Sequence, residues 1–275
     1  MIQETEKPSL YDHLEDMSAA DILRRINAED ITVPVIVGQS IPQITLLVEG
    51  IVERMKRGGR VFYIGAGTSG RLGVTDASEI PPTYGVNDKF IGIIAGGDSA
   101  FRTAVEGAED DPVQGWKDIL CYHPTPDDTV IGISASGGAP YVVGALQSAR
   151  SMGLLTSCIS CNADSLAAQV SDIPIISVVG PEFVTGSTRM KSGTAAKLTL
   201  NMISTSVMIL LGHVKGNRMV DMQLSNVKLV DRGTRMIMEE TGMKDYDAAR
   251  RLLLESGSVR AAIDSLNGTG ESLPN

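Results

Sequence analysis

Histidine is nearly absent from this 275-residue chain, which carries only His13, His123 and His213. None of them has a partner at metal-ligand spacing, so no metal centre is expected and proton transfer would have to rest on carboxylates. Cysteine is as scarce: Cys121, Cys158 and Cys161 cannot build a disulfide framework. Cys158-x-x-Cys161 begins inside "LLTSCIS", which reads as a buried strand, and no second Cys or His pair completes a zinc site. Positive charge is in deficit at a net −9, which argues against a nucleic-acid groove and its basic stripe. The cluster Arg54, Lys56, Arg57 and Arg60 is the local exception and reads as a solvated helix C-terminus. The longest apolar run, "LTLNMISTSVMILLG", is too short and too rich in Asn, Ser and Thr to span a bilayer. The N-terminal "MIQETEKPSLYDHLEDM" is polar and acidic, unlike a signal or transit peptide. A cytoplasmic protein with no membrane partner is expected. Aromatics are only 4% against 29 glycines, a balance that suits α/β folds with Gly-rich strand-to-helix turns.

What is present is alternation. Residues 1–16 read as an N-terminal tail, loose over its first ten or so residues. "SAADILRRINAED" reads as a short helix capped by Ser18, and Asp30 to Arg57 as a longer one ended by Gly58-Gly59. Five apolar runs follow: "RVFYIGAG", "KFIGIIAGG", "DTVIGISASG", "LLTSCIS" and "DIPIISVVG". Helical segments lie between them, including "AFRTAVEGAEDD" and "PYVVGALQSARSMG". That pattern predicts parallel strands with crossover helices. After Gly180 no further strand is evident. A loop and a long apolar helix lead to three helices that read as a compact appendage.

The first strand runs into Gly65-x-Gly67-x-x-Gly70, the spacing of a dinucleotide-binding turn. A nicotinamide or flavin site needs a full helix next and an acidic residue about 20 positions on. Here Pro81-Pro82 cut the helix short and Asp98 arrives late. The side chains favour a smaller anion. Thr68 and Ser69 follow the first strand, Ser134 and Ser136 the third, and "TGSTRMKSGT" adds Thr185, Ser187 and Thr188. Each turn alone reads as a cap. Together they suit a phosphate monoester at helix N-termini.

Two groups of carboxylates are candidates for acid–base work. Glu79 sits in "DASEIPPTYG", nine residues after Gly70. Glu106 and Glu109, three apart in "AVEGAEDD", would share one helical face. Spacing alone does not separate either from ordinary surface charge.

"YIGAGTSGRLGVTDASEIPPTYG", "IAGGDSAFRTAVEGAEDD", "GPEFVTGSTRMKSGTAAKLTLNM" and "GNRMVDMQLSNVKL" resemble the N-acetylmuramic acid 6-phosphate etherase family of the sugar isomerase (SIS) superfamily. The resemblance runs from about residue 18 to the final helices. It implies a three-layer α/β/α sandwich with a five-stranded, mainly parallel sheet over residues 17–222, and a UBA-like helical bundle over 223–275. It implies elimination of D-lactate from C3 of a phosphorylated amino sugar, then hydration, without cofactor or metal. Glu79 falls where the family has the acid/base serving the lactate oxygen, and Glu109 where it has the partner. Phosphate contacts would come from Thr68, Ser69, Ser134, Ser136, Ser187 and Thr188. A homodimer is also implied. The family's third-strand loop usually reads "ASGRTPYV"; here it is "ASGGAPYV", so Gly138 and Ala139 replace a guanidinium and a hydroxyl. A non-catalytic phosphosugar sensor, like the related glucokinase regulatory protein, and an aldose–ketose isomerase are the alternatives.

Overall fold

A computed structural model describes residues 3–268 of the chain. It has two compact units, Met1–Ser78 with Asp88–Val207, and Glu79–Asn87 with Met208–Asn275.

The first unit opens with 3-10 turns at Glu4–Glu6 and Leu14–Asp16. Helix α1 (Ala19–Gly38) starts as expected at Ser18, whose hydroxyl accepts from the Asp21 N–H at 3.2 Å. The expected division near Asp30 is absent. α1 runs through Pro34, and the break falls at Gln39–Ser40, before α2 (Ile41–Lys56). Pro34 forfeits one helical hydrogen bond, but Val33 and Val37 on either side are buried with Val179 and Ala195 and hold the helix together. Pro42 sits instead in the first turn of α2, where its missing N–H costs nothing.

The alternation then follows: β1 (Val61–Gly65), α3 (Gly67–Ser78), α4 (Ile80–Tyr84, in the second unit), β2 (Phe90–Ile94), α5 (Ser99–Arg102), α6 (Gln114–Leu120), β3 (Thr129–Ile133), α7 (Pro140–Ser151), β4 (Leu155–Ser160), α8 (Leu166–Val170), β5 (Ile173–Ile176) and α9 (Lys191–Leu210). All five expected strands form one wholly parallel sheet in the order β2-β1-β3-β4-β5. Successive side chains of a strand leave opposite faces. Phe62 and Ile64 pack with Ile119, Tyr141, Val142, Leu146 and Ala167 from α6, α7 and α8. Tyr63 faces the other way, so close to α3 that a Cβ on Gly73 would come within 3.0 Å of its own. Each large side chain buried this fully contributes roughly 1.5–3 kcal/mol.

"AFRTAVEGAEDD" is not a helix. α5 is a single turn, Thr103 is extended, and Gly107 takes φ +73°, so Glu106 and Glu109 lie in successive turns rather than on one helical face.

The second unit holds α4, a hairpin of β6 (Val214–Lys215) and β7 (Arg218–Met219), and α10 (Val227–Thr241), α11 (Tyr246–Ser256) and α12 (Val259–Gly268). The hairpin was not expected, because two-residue strands leave no periodicity to read. Its turn is Gly216-Asn217, with Gly216 at φ +61°. The three helices bury Ile237, Ala249, Leu253, Val259 and Ala262 against one another. The expected boundary at 222/223 lies inside the longer stretch of this unit, which begins at Met208; Asp221 there takes both His213 (3.0 Å) and Arg260 (2.7 Å). Residues 269–275 of the expected appendage lie outside the described residues. Among the described residues, no single helix is long and apolar enough to cross a membrane.

Candidate active site

In an open parallel sheet of order 2-1-3-4-5, ligands bind beyond the C-terminal ends of the strands where the winding reverses, here between β1 and β3. A cavity of about 500 Å³ opens at that place. Its walls come from Ala66–Ser69 after β1, Ile133–Ser136 and Gly138–Pro140 after β3, Glu109 and Asp110, Gly186 and Thr188, and Gln3 and Glu6 from the N-terminus.

The glycines of the first turn serve close packing. A Cβ on Gly65 would lie 2.8 Å from the Gly70 N, and one on Gly70 would lie 2.6 Å from the Gly65 O. Gly67 turns the chain at φ +54°. α3 is thereby pressed onto the end of β1, with its first turn at the cavity. Its backbone bonding begins with the Gly70 N–H to Ala66 O, at 3.2 Å. The N–H groups of Thr68 and Ser69 precede that bond and have no backbone partner among the described residues, so they stand open at the positive end of the helix dipole.

The β3 turn is built differently. Ser134 Oγ accepts from the Gly137 N–H at 3.0 Å, and Ser136 Oγ accepts from the Gly138 N–H at 3.2 Å. The two hydroxyls are 3.5 Å apart, so at most one of their protons is used between them and a donor remains. Asn162, at 5% exposure, ties the turn down by donating to the Ser136 O at 3.1 Å. α7 follows, but its first turn offers no N–H. Pro140 has none, Tyr141 donates to Glu109 O at 2.9 Å, and Val142 and Val143 donate to Ala139 O at 3.0 Å. α7 contributes its dipole, and its Tyr141 N–H fixes the backbone of Glu109 at the cavity wall.

Of the candidate residues, Thr68, Ser69, Ser134, Ser136, Thr188 and Glu109 line this one cavity. Ser187 does not; it turns the chain, its N–H bonded to Val184 O at 2.9 Å. Glu79 is not on the lining either. It is exposed, at the N-cap position of α4, in the second unit. Glu106 and Arg71 line a smaller adjoining cavity of about 210 Å³, which shares Glu109. Arg71 is spent on the Ala100 and Phe101 carbonyls, at 2.8 and 3.0 Å. Most of the "TGSTRMKSGT" loop is likewise engaged. Thr185 accepts from Ser9, Lys191 pairs with Glu29 at 2.6 Å, and the Ser192 hydroxyl donates to Glu182 at 2.8 Å. The lining includes Glu6, Glu109 and Asp110 but, among the described residues, no lysine or arginine. An anion entering here would meet, as donors, only hydroxyls, amides and helix ends among the described residues.

Three groups that position the site were not anticipated: Thr5, Asn162 and Glu182. Each acts through a contact distant in sequence, and none has a local pattern that marks it. The two buried cysteines carry no redox signature, since burial pushes both thiols up to about 11.

A doubly wound parallel sheet with a hydroxyl-lined cavity at its switch point defines an SIS-type α/β protein. The model of the glucokinase regulatory protein N-terminal SIS domain matches residues 43–150. The solved structure of a phosphoheptose isomerase from Francisella tularensis superposes with TM-score 0.54 at 16% identity, over 70% of this chain and 100% of that one. The N-acetylmuramic acid 6-phosphate etherase of Bacteroides fragilis YCH46 is 60% identical over 96% of this chain and 94% of its own. That of Porphyromonas gingivalis W83 is 60% identical over 95% and 96%. The chain belongs to the N-acetylmuramic acid 6-phosphate etherase family.

Proposed function

We propose that this chain cleaves the ether between D-lactate and C3 of N-acetylmuramic acid 6-phosphate, giving N-acetylglucosamine 6-phosphate and D-lactate. The observation that carries this reading is the 60% identity, over nearly the whole chain, to relatives of that name. The cavity supports it, with hydroxyl and N–H donors at α3 and β3 and a carboxylate on its wall. In the open-chain sugar the aldehyde acidifies C2. A base removes the C2 proton, and that electron pair forms the C2–C3 double bond as the C3–O bond breaks. An acid delivers a proton to the departing lactyl oxygen. Water then adds, its hydroxyl to C3 and a proton to C2, so the net change is ether plus water to two alcohols.

Glu109 and Glu79 are the acid/base pair in this reading. Glu109 is supported by its place on the cavity wall and its tether to α7. Glu79 is supported by the "ASEIPP" motif alone. Thr68, Ser69, Ser134, Ser136 and Thr188 receive the phosphate and sugar, with Ser187 shaping the turn. The protein works in the cytoplasm as a homodimer. Leu23, Ile31, Val35 and Leu46, each more than half exposed on α1 and α2, support self-association. The net charge of −9 argues against a nucleic-acid partner.

The test is D-lactate release from N-acetylmuramic acid 6-phosphate by wild type, Glu109→Gln and Glu79→Gln. Loss of a positioned acid or base lowers kcat by about 10²–10⁴-fold. Wild type that binds the sugar phosphate and releases no lactate would overturn the etherase reading and leave a sensor. Either variant retaining full kcat would remove that residue from the pair.

A further inference from the structure

The N-terminal segment, expected as a loose tail, is pinned at both sides of the cavity. Thr5 is fully buried; its N–H donates to Asn162 Oδ1 at 3.4 Å, and Asn162 Nδ2 donates to Thr5 Oγ1 at 3.0 Å. The same Nδ2 lies 3.1 Å from the Ser136 O, so this anchor stands on the β3 turn. Four residues on, the Ser9 N–H donates to Thr185 Oγ1 at 2.9 Å and the Ser9 hydroxyl to Phe183 O at 2.8 Å. That second anchor stands on the turn carrying Gly186 and Thr188. The segment is a strap from one ligand turn to the other.

Glu6 lies between the anchors, on the cavity wall. Its Oε2 is 3.5 Å from where a Cβ on Gly186 would stand. Glu4, two residues earlier, is neutralised by Lys7 at 2.5 Å. No hydrogen bond or ion pair engages the Glu6 carboxylate among the described residues. Gln3 completes this wall: its Nε2 is 4.0 Å from where a Cβ on Gly138 would stand, so its amide covers the place left bare by the Gly138-Ala139 departure.

We propose that Glu6 and Gln3 are ligand-binding residues of this site and set its specificity for the sugar, with Glu6 accepting a hydrogen bond from a hydroxyl or acylamino N–H of a phosphorylated amino sugar and Gln3 donating above Gly138. The proposal rests on the sugar-phosphate reading above. An ionised carboxylate only accepts hydrogen bonds, and so does a phosphate dianion; the two repel. Glu6 therefore belongs to the sugar and opposes a bare phosphate. Bonds to a charged acceptor are about twice as strong as neutral ones. Because Thr5 and Ser9 already hold the strap, little ordering entropy remains to be lost on binding.

The test uses the 275-residue chain as wild type, Glu6→Ala, Glu6→Gln and Gln3→Ala, titrated by calorimetry with N-acetylglucosamine 6-phosphate and, separately, with inorganic phosphate. Glu6→Ala should weaken the sugar phosphate about tenfold or more, with Glu6→Gln in between. Inorganic phosphate should bind unchanged or more tightly. Lactate release should show raised KM at a kcat close to that of wild type, and thermal unfolding should not move, since the Glu6 carboxylate bonds to nothing among the described residues. Gln3→Ala should weaken the sugar phosphate by a smaller factor. Unchanged sugar-phosphate affinity in Glu6→Ala overturns the proposal. So does an equal loss for both ligands, which would mean a deformed cavity. A wild type that binds neither ligand overturns the sugar-phosphate reading and this one with it. A wild type that binds but releases no lactate overturns only the etherase reaction, and the calorimetric comparison still decides the role of Glu6.

Discussion

Glu182 is a buried carboxylate that caps a helix from nine residues upstream, and removing it should cost more than any surface substitution. The residue is 1% exposed. Its Oε2 accepts from the Lys191 N–H at 2.8 Å, and its Oε1 accepts from the Ser192 N–H at 2.9 Å and the Ser192 hydroxyl at 2.8 Å. These are the first donors of α9, so the negative charge also meets the positive end of the helix dipole. Hydrogen bonds to a charged partner contribute about 1.5–3 kcal/mol each. The three share one carboxylate and are not additive. Glu182→Ala leaves three buried donors unpaired and should cost about 3–5 kcal/mol. Glu182→Gln keeps one oxygen for the Ser192 pair but turns an NH₂ toward one backbone N–H, and should cost about 1–3 kcal/mol. Trp116, the one tryptophan of the chain, packs against the core of the first unit and gives a fluorescence signal for denaturant unfolding. Hydrogen exchange should show the Lys191 and Ser192 amides losing protection first. The residues between Glu182 and Lys191 carry Gly186 and Thr188 to the cavity, so affinity for inorganic phosphate should fall as well. An Ala variant less than about 1 kcal/mol below wild type, or a Gln variant worse than Ala, would refute the capping argument.

Two further outcomes follow from buried contacts. A Cβ on Gly144 of α7 would stand 1.8 Å from the Pro112 carbonyl oxygen, so Gly144→Ala should cost about 1–3 kcal/mol or more in the same unfolding experiment; an unchanged midpoint would refute it. Asp76, 8% exposed, accepts from Asn201 at 2.7 Å and Ser204 at 3.3 Å, yet among the described residues its Oδ2 has no hydrogen-bond partner within normal distance. Burial pushes its carboxyl above the ordinary 3.8, and Asn201, Ser204, the nearby Tyr63 hydroxyl and the Lys197 charge offset this only in part. The folded state thus holds the proton more tightly than the unfolded one. Stability falls as pH rises from 3.8 through the raised value, and the full penalty is present above it. Asp76→Asn keeps an acceptor for both donors and should raise the melting temperature at about pH 7, with the gain fading toward about pH 3. A gain independent of pH would show that charge is not the cause.

The strands were legible because each is a short apolar run closed by glycine or a polar turn, and a sheet buried on both faces needs nothing more. Ser134 and Ser136 could be placed because a strand end fixes where its next residues emerge. Glu109 was singled out by the family motif, and the helical face it was expected to share with Glu106 is not there: the helix through "AVEGAEDD" gives way to turns, since Gly107 takes a left-handed conformation that a helix excludes. The α1–α2 break was misplaced because Pro34 is a strong local signal, whereas the burial of Val33 and Val37 that overrides it is tertiary. Thr5, Asn162 and Glu182 were invisible for the same reason. The Thr5–Asn162 pair spans 157 residues, and the Glu182 cap stands far outside the spacing of any local capping box.

The two helices that begin at the cavity spend their first N–H groups differently, and in the proposed reading this separates binding from acid–base chemistry. Among the described residues α3 leaves the N–H groups of Thr68 and Ser69 unspent, whereas every N–H in the first turn of α7 is already bonded within the protein. An anion seated in this cavity therefore gains direct backbone bonds at α3 and only the dipole field at α7, together with the Ser134 and Ser136 hydroxyls. The Tyr141 N–H that α7 withholds from the ligand goes to the Glu109 carbonyl. The helix gives up a phosphate donor to fix an acidic residue. That choice suits a cavity without a lysine or arginine on its described wall, because acid–base carboxylates beside a bound dianion need distance from it. In the proposed reading a phosphate seated at α3 would be set apart from Glu109, whose backbone α7 holds, by the switch point between β1 and β3. The N-terminal strap adds Glu6 to the wall of the same cavity.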